Sequence, residues 1–188
     1  MWYNILKYTM IIDVTTYYLE MTIPDDLRPR RIQRSDLVIA RAKIPAPELN
    51  RFLYTSVGGA WYWIDRLGWT YKDWLAWVDR PQLQTWVAYV RGTPAGYFEL
   101  EAQDQGDVEI AYFGLLPHFI GQGLGGPVLT AAIERAWQMD AARVWVHTCT
   151  LDHPSALANY RARGLRIFRQ ETAPVELPEN TPGPWPGA

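Results

Sequence analysis

The sequence contains little cysteine, little net charge and no long apolar run. Cys149 is the only cysteine among 188 residues, so an intramolecular disulfide is impossible. A lone thiol is typical of a reducing compartment, and we therefore expect a cytoplasmic protein. The net charge is -2 and the pI is near 5.9, so no basic field favours nucleic acid as a partner. No apolar stretch approaches the ~20 residues that span a bilayer, and no membrane association is expected.

Two common phosphate-binding motifs and a metal motif are also missing. No Gly-Lys-Ser or Gly-Lys-Thr sequence completes a nucleoside-triphosphate loop, which disfavours a nucleotide-binding module. No acidic residue ends a strand about 20 residues after the glycine-rich segment, as a dinucleotide-binding fold requires. His147 and Cys149 share one face of a predicted strand without a third ligand at zinc-like spacing. We interpret this pair as core packing and predict no metal site.

A glycine-rich segment at residues 116–126 is the most informative part of the chain. Its sequence is Leu-Pro-His-Phe-Ile-Gly-Gln-Gly-Leu-Gly-Gly, between a strand-like run at 108–115 and a helix-like run that reaches about residue 139. Glycines lack the Cβ atoms that would block a ligand from the backbone, and the start of a helix presents unpaired N–H groups. The segment therefore predicts a phosphate or pyrophosphate site. This predicted site consists of Gly121, Gln122, Gly123, Leu124, Gly125 and Gly126.

A second motif follows after a predicted strand at residues 143–150. Residues 152–165 indicate a short helix with a proline in its first turn and Gly164 at its end. Ala156 and Tyr160 lie on one face of this helix, four residues apart. Two motifs in this order, separated by a strand, are more specific than either motif alone.

The two motifs resemble those of the GNAT family of acetyl-coenzyme A-dependent N-acetyltransferases. The family's pyrophosphate signature, Arg/Gln-x-x-Gly-x-Gly/Ala, falls on residues 120–125, where Ile120 replaces the basic or amide residue. Its later signature, Asn-x-x-Ala-x-x-x-Tyr-x-x-x-Gly-Phe, falls on residues 153–165, where His153 and Leu165 are replacements. The resemblance covers roughly residues 84–170. It implies a single α+β domain with a mixed, mostly antiparallel sheet flanked by helices.

The resemblance also implies a cosubstrate, acetyl-CoA, and a set of residues that bind it. The pantetheine arm is expected along the strand at Leu115 and Leu116, and His153 and Tyr160 are expected to complete the cofactor site beside the glycines. Tyr160 matches the tyrosine that faces the departing thiolate in the family. The alternative for Tyr160 is a core residue whose hydroxyl is satisfied.

Glu109 is the candidate base of this reaction. An amine must lose a proton as it is acetylated, and many family members use a glutamate on the corresponding strand. The strand at 108–115 is apolar on both faces, so a carboxylate there is expected to be partly desolvated. The alternative is that Asp107 and Glu109 mark the solvated start of the strand. On the first interpretation, Glu109 and Tyr160 form the catalytic pair, and the amine attacks the thioester directly in a ternary complex.

Ten tryptophans are unusual for a chain of this length, and five of them fall within residues 61–77. The resemblance places this region on the acceptor side of the cleft, where Trp61, Trp63 and Trp69 are the candidate acceptor-binding residues. The acceptor is then a small-molecule or peptide amine. Packing of short helices against a sheet is the alternative. A non-catalytic acyl-CoA sensor is the rival function, and a homodimer is an open alternative for the assembly.

The chain divides into one expected domain and two ends. We expect a β-rich N-terminal extension at 1–35, a GNAT-like domain at 36–173 and a proline-rich mobile tail at 174–188. The extension contains a strand at 15–23 and a hairpin-like link at 25–36. Met10 and Met21 are alternatives to the first methionine as starts.

Overall fold

A seven-stranded sheet organises residues 9–183, the part of the chain that the computed structural model describes. The strands are β1 (Thr9–Met21), β2 (Leu37–Ala42), β3 (Leu83–Val90), β4 (Thr93–Ala102), β5 (Asp107–Leu115), β6 (Arg143–Cys149) and β7 (Arg166–Pro178). Their order in the sheet is β2-β3-β4-β5-β6-β1-β7. Only the β5–β6 pair is parallel among the described strands. The predicted mixed, mostly antiparallel α+β fold is confirmed.

Four α-helices in residues 9–183 cover the two faces of this sheet. They are α1 (Pro47–Gly58), α2 (Tyr71–Val78), α3 (Gly125–Trp137) and α4 (Ala156–Ala162). The apolar stripe of α3 includes Val128, Leu129 and Ile133, which are fully buried with residues of β4, β5 and β6. On the opposite face, Leu53 and Val57 of α1 pack in a smaller cluster with β3 and β4. None of these helices is long and apolar enough to cross a membrane.

The hairpin-like link predicted between the first two strands is wrong. β1 lies between β6 and β7, whereas β2 is at the opposite edge of the sheet. The connection instead crosses α3 and α4, where the Arg28 N–H donates to Arg163 O at 3.0 Å and the Arg30 N–H donates to Thr130 Oγ1 at 2.9 Å. A local turn-rich sequence does not distinguish these paths, because strand pairing is decided by distant partners.

The predicted tail also begins too early. Residues 174–178 belong to β7, where Pro174 is opposite Asp13 and Pro178 is opposite Thr9. Prolines are tolerated here because β7 is an edge strand, whose backbone pairs with a neighbour on one side only. Residues 184–188 of the predicted tail, and the first eight residues of the predicted extension, lie outside the described part of the chain.

The parallel pair β5–β6 separates soon after it begins. Its ladder runs only from Asp107, opposite Arg143, to Glu109, opposite Trp145. Beyond this point β5 remains paired with β4, and β6 remains paired with β1. An irregularity between Glu99 and Leu100 in the β4–β5 register accompanies the separation, as β-bulges bend strands locally. The sheet therefore has a gap between the ends of its central strands.

Candidate active site

A cleft of about 1080 Å³ occupies the gap between β5 and β6. Its walls include the ends of the two strands, the glycine turn before α3, the helix α4 and the segment after α1, together with residues of β1, β7 and the link after β1. Because β5 has lost its neighbour here, the backbone groups of β5 that β4 does not use face the cleft. An extended ligand with amide groups can pair with such an edge.

The glycine turn places an open helix N-terminus at one end of the cleft. Gly121 and Gly123 have φ angles of 81° and 75°, and each leaves open space where a Cβ atom would lie. Within residues 9–183, no acceptor bonds the N–H groups of Leu124, Gly125 and Gly126. Free N–H groups and the positive end of the α3 dipole suit a phosphate.

Two arginines that the sequence analysis did not identify stand beside this helix end. A Cβ atom at Gly126 would lie 2.6 Å from Arg163 Nη1 and 2.9 Å from Arg30 Cγ, so both side chains pass directly over α3. Burial, and then the charge of Arg30, lower the pKa of Arg163. Neither guanidinium pairs with a carboxylate among the described residues, although both line the cleft. Their repulsion favours binding of an anion between them.

Asn159 holds α4 against the start of α3. Its Nδ2 donates to Gly125 O at 3.2 Å, and its Oδ1 accepts from Arg163 Nη1 at 3.3 Å. The only sequence signal for Asn159 and Arg163 was their position inside the second motif. Arg30, more than 100 residues away in the chain, had no local signal.

Two of the predicted cofactor residues do not present their groups to the cleft. The Leu116 N–H donates to Ala95 O at 2.9 Å and the Leu116 carbonyl accepts from Phe119 N–H at 2.9 Å, so neither backbone group is free. The Gln122 side chain folds back and donates to His118 O at 2.9 Å. Leu115, in contrast, lines the cleft together with the predicted glycines and Leu124.

Tyr160 and His153 enter the cleft from α4 and the turn before it. The Tyr160 side chain is buried, with its ring 6.0 Å from that of Phe113. Burial, and then the charge of Asp152, raise the pKa of Tyr160 far above its ordinary value, so the phenol stays protonated. His153 Nδ1 accepts from the Ser155 N–H at 3.1 Å, and this bond stabilises the turn that leads into α4.

Glu109 is buried at the base of the gap, behind His147. Glu109 Oε1 lies 3.2 Å from His147 Nδ1, and Glu109 Oε2 accepts from Gln103 Nε2 at 2.7 Å. His147 lines the cleft with Cys149, so the interpretation of this histidine and cysteine as core packing is wrong. Both residues lie on β6 beyond the point where it pairs with β5, and the sequence does not show where strand pairing ends.

The tryptophans divide into two groups. Trp61 and Trp63 line the cleft, and Trp63 Nε1 donates to Asp152 Oδ1 at 3.4 Å. Trp69 lies elsewhere, in a cluster around Arg66, whose guanidinium carbon is 4.6 Å from the Trp69 ring centroid. Arg66 is itself buried and ion-paired with Glu99 at 3.1 Å. Trp69 therefore packs around a buried ion pair and does not line the cleft, contrary to its prediction as an acceptor-binding residue.

Comparison with known proteins identifies the family. The sequence matches the model of the acetyltransferase (GNAT) family over residues 49–165, more than half of the chain. The chain belongs to this family. No curated protein gives a significant match to the sequence.

Solved structures with the GNAT fold resemble the chain over most of its length. A GCN5-related N-acetyltransferase from Kribbella flavida is 20% identical with a TM-score of 0.61, over 93% of this chain and 60% of that one. Another from Sphaerobacter thermophilus is 12% identical with a TM-score of 0.64, over 90% of this chain and 53% of that one. An IAA acetyltransferase from Bacillus cereus is 25% identical with a TM-score of 0.53, over 71% and 79% of the two chains. The chain thus spans 60% or less of the first two proteins.

The two ends of this GNAT cleft differ in charge. Arg30 and Arg163 stand at the glycine turn, whereas Asp65 and Asp152 stand at the end lined by the tryptophans. The hydrogen bond to Glu109 contributes most to raising the pKa of His147, and the charges of Asp152 and Asp65 add to the rise. Among the described residues, no group of three or more His, Cys, Asp and Glu side chains has the arrangement of a metal site. The cleft therefore suits an anionic ligand at one end and a cation at the other.

Proposed function

We propose that this chain is an N-acetyltransferase that moves an acetyl group from acetyl-CoA to an amine. The observation that carries the proposal is the gap between β5 and β6 directly beside an uncapped helix N-terminus. One end can bind the phosphates of acetyl-CoA, and the gap can admit its thioester between the two strands. Acetyl-CoA supplies the activated acetyl group, and the protein supplies binding, orientation and proton transfer.

The described residues fit acetyl-CoA by charge and by backbone geometry. The free N–H groups of Leu124, Gly125 and Gly126 suit the pyrophosphate, and the two guanidiniums add positive charge beside them. Ile120 removes one basic or amide side chain of the family signature, and Arg30 and Arg163 compensate for that loss. Leu115 and the unpaired edge of β5 suit the amides of the pantetheine arm.

The chemistry divides between the two faces of the sheet. Tyr160 packs with Phe113 on the face covered by α3, and there it donates a hydrogen bond to the leaving sulfur. Tyr112 and Trp63 pack on the face covered by α1, where the amine approaches. The amine attacks the thioester directly in a ternary complex, and its proton leaves on the Glu109 side of the gap.

The acceptor end favours an amine that carries positive charge. Trp61 and Trp63 offer ring faces to an ammonium group, and Asp65 and Asp152 supply negative charge. Small-molecule and peptide amines both meet this description. Purified protein with acetyl-CoA and a panel of neutral and cationic amines, followed by free-thiol release, tests the assignment. If none of the amines in the panel causes thiol release, the proposal is contradicted.

The first prediction concerns the glycine turn. Gly123→Asp should abolish the rise in Tm that acetyl-CoA causes, because it adds bulk and negative charge beside the pyrophosphate. Gly92→Asp is the matched control, since Gly92 also has positive φ and open space but lies in the β3–β4 turn. Differential scanning fluorimetry with acetyl-CoA measures both. An unchanged ligand-induced shift in Gly123→Asp would remove the turn from the cofactor site.

The same two measurements separate the enzyme from the rival acyl-CoA sensor. A catalytic protein shows both the ligand-induced shift in Tm and thiol release that depends on the amine. A sensor shows the shift without turnover. A protein that shows neither is not an acetyl-CoA-binding protein.

A further inference from the structure

His147 and Glu109 lie where the gap in the sheet opens. Glu109 and Trp145 are the last paired residues of β5 and β6, and His147 is the next residue of β6 on the same face. The His147 side chain is 49% exposed, whereas that of Glu109 is only 11% exposed. The imidazole thus separates the carboxylate from the cleft.

A chain of hydrogen bonds fixes the imidazole tautomer. The Trp145 indole can only donate, and its Nε1 donates to Gln103 Oε1 at 3.0 Å. The Gln103 amide is therefore oriented so that its Nε2 donates to Glu109 Oε2 at 2.7 Å. The other oxygen, Glu109 Oε1, is left to accept from His147 Nδ1 at 3.2 Å. A neutral imidazole with its proton on Nδ1 carries its lone pair on Nε2.

We propose that His147 is the proton acceptor of the acetyl transfer and that Glu109 is its positioning residue. This inference rests on the proposed function. The amine binds as an ammonium ion and first loses one proton to solvent, which frees the nitrogen lone pair. The nitrogen then forms a bond to the acetyl carbon while the bond from that carbon to sulfur breaks. The sulfur leaves with the electron pair as a thiolate that accepts a hydrogen bond from Tyr160. The nitrogen loses its second proton to His147 Nε2, and that proton passes through solvent to the thiolate, so that both residues return to their starting forms.

The position of His147 suits this role. The amine approaches on the face that carries Tyr112 and Trp63, and His147 follows Trp145 on that same face. Tyr160 is on the other face, against Phe113. The proton acceptor and the residue that donates a hydrogen bond to sulfur therefore stand on opposite sides of the gap. Glu109 contacts the reacting groups only through the imidazole, so its carboxylate orients the ring rather than touching the amine.

The surroundings of His147 determine the direction of its pH dependence. Titratable and charged groups surround it on several elements. They are Glu109 on β5, Tyr18 on β1, Cys149 on β6, Asp152 in the loop after β6, Asp65 in the segment after α1 and Arg169 on β7, which lies over the Tyr18 ring. The hydrogen bond to Glu109 contributes most to raising the pKa of His147, while burial opposes it. A base with a raised pKa is neutral only at higher pH, so the rate should rise with pH through that pKa.

Variants of both residues test the pairing through activity. His147→Gln should lower kcat about 100-fold and lose the rising limb of the pH–rate profile, with acetyl-CoA binding unchanged. Glu109→Gln should retain the limb but shift it to lower pH, because the partner that raises the pKa is gone. His118→Gln is the control, since His118 is an exposed residue before the glycine turn. A His147→Gln enzyme with normal kcat and a normal limb would overturn the proposal.

An NMR titration tests the pairing without any activity. The chain has only three histidines, so the imidazole signal lost in His147→Gln identifies His147 in isotope-labelled protein. That signal should titrate at lower pH in Glu109→Gln and, by a smaller amount, in Gln103→Leu, which keeps the carboxylate but removes its anchor. A titration that neither variant moves would overturn the pairing. If the pairing holds but no amine is acetylated, the proposed function fails instead, and the two failures are distinct.

Discussion

Tyr160 is almost completely buried and also lines the wall of the cleft. Taken alone, a buried tyrosine on an apolar helix face is a packing residue, and the motif around it argued for catalysis. The structure adds a physical reason for hydrogen-bond donation to the thiolate, because burial and the nearby Asp152 raise the pKa of Tyr160 and hold the phenol in its neutral form. At the scale of single residues, the environment of a side chain decides which protonation state it offers.

Tyr160→Phe tests this reasoning. The substitution keeps the ring and its contact with Phe113 but removes the hydrogen-bond donor. We expect kcat to fall by about 10- to 100-fold, with little change in the affinity for acetyl-CoA, because the donor acts mainly as charge develops on sulfur. Steady-state kinetics and a binding assay measure the two effects. Tyr71→Phe, at an exposed position on α2, is the control.

The two ends of the segment between α1 and α2 have different roles. It carries Trp61 and Trp63 into the cleft, while Trp69 remains in a cluster with α2. Arg66 holds the segment to the sheet through its ion pair with Glu99 and its contact with the Trp69 ring. Residues eight positions apart therefore have different roles because one end of the segment crosses the gap and the other packs on a helix.

Trp61→Leu and Trp69→Leu form a matched pair for this element. Trp61→Leu should raise the KM for the amine several-fold, because it removes a ring face from the cleft, and should leave stability nearly unchanged. Trp69→Leu should lower the free energy of unfolding by about 2 kcal/mol through lost packing. Urea unfolding and acceptor kinetics separate the two effects. Loss of stability in both variants with normal KM would place the acceptor site elsewhere.

At the scale of the whole molecule, the cleft has a positive end and a negative end although the net charge is only -2. Arg30 comes from the link after β1 and Arg163 from the end of α4, whereas Asp65 follows α1 and Asp152 follows β6. The opposite charges orient two oppositely charged substrates in one cleft. Overall composition did not reveal this arrangement, because charges of both signs cancel in the sum.

Asp65→Asn tests the negative end. Asp65 is exposed, so its effect on a cationic amine should be modest, about two- to five-fold in KM, and should disappear at high salt where charges are screened. The KM of a neutral amine and the affinity for acetyl-CoA should not change. Kinetics at two ionic strengths with a cationic and a neutral amine provide the comparison. An equal effect on both amines would exclude a charge-based role.

Features that depend on neighbouring residues were predictable from the amino-acid sequence. The glycine turn, α3, α4 with Tyr160, and the family could all be predicted, because turns, caps and helical faces are encoded within about ten residues. The strands at 15–23, 108–115 and 143–150 were predicted for the same reason, and they correspond to β1, β5 and β6.

The folded arrangement was needed to show which residues meet at the cleft. Arg30 reaches α3 across 100 residues of sequence, and His147 meets Glu109 across 38. The place where β5 and β6 separate exposes His147 and leaves Glu109 buried, while Leu116 is committed to β4 and the turn that follows it. These outcomes depend on strand order and on where a ladder ends. Both are set by the packing of distant segments, which no local pattern of residues contains.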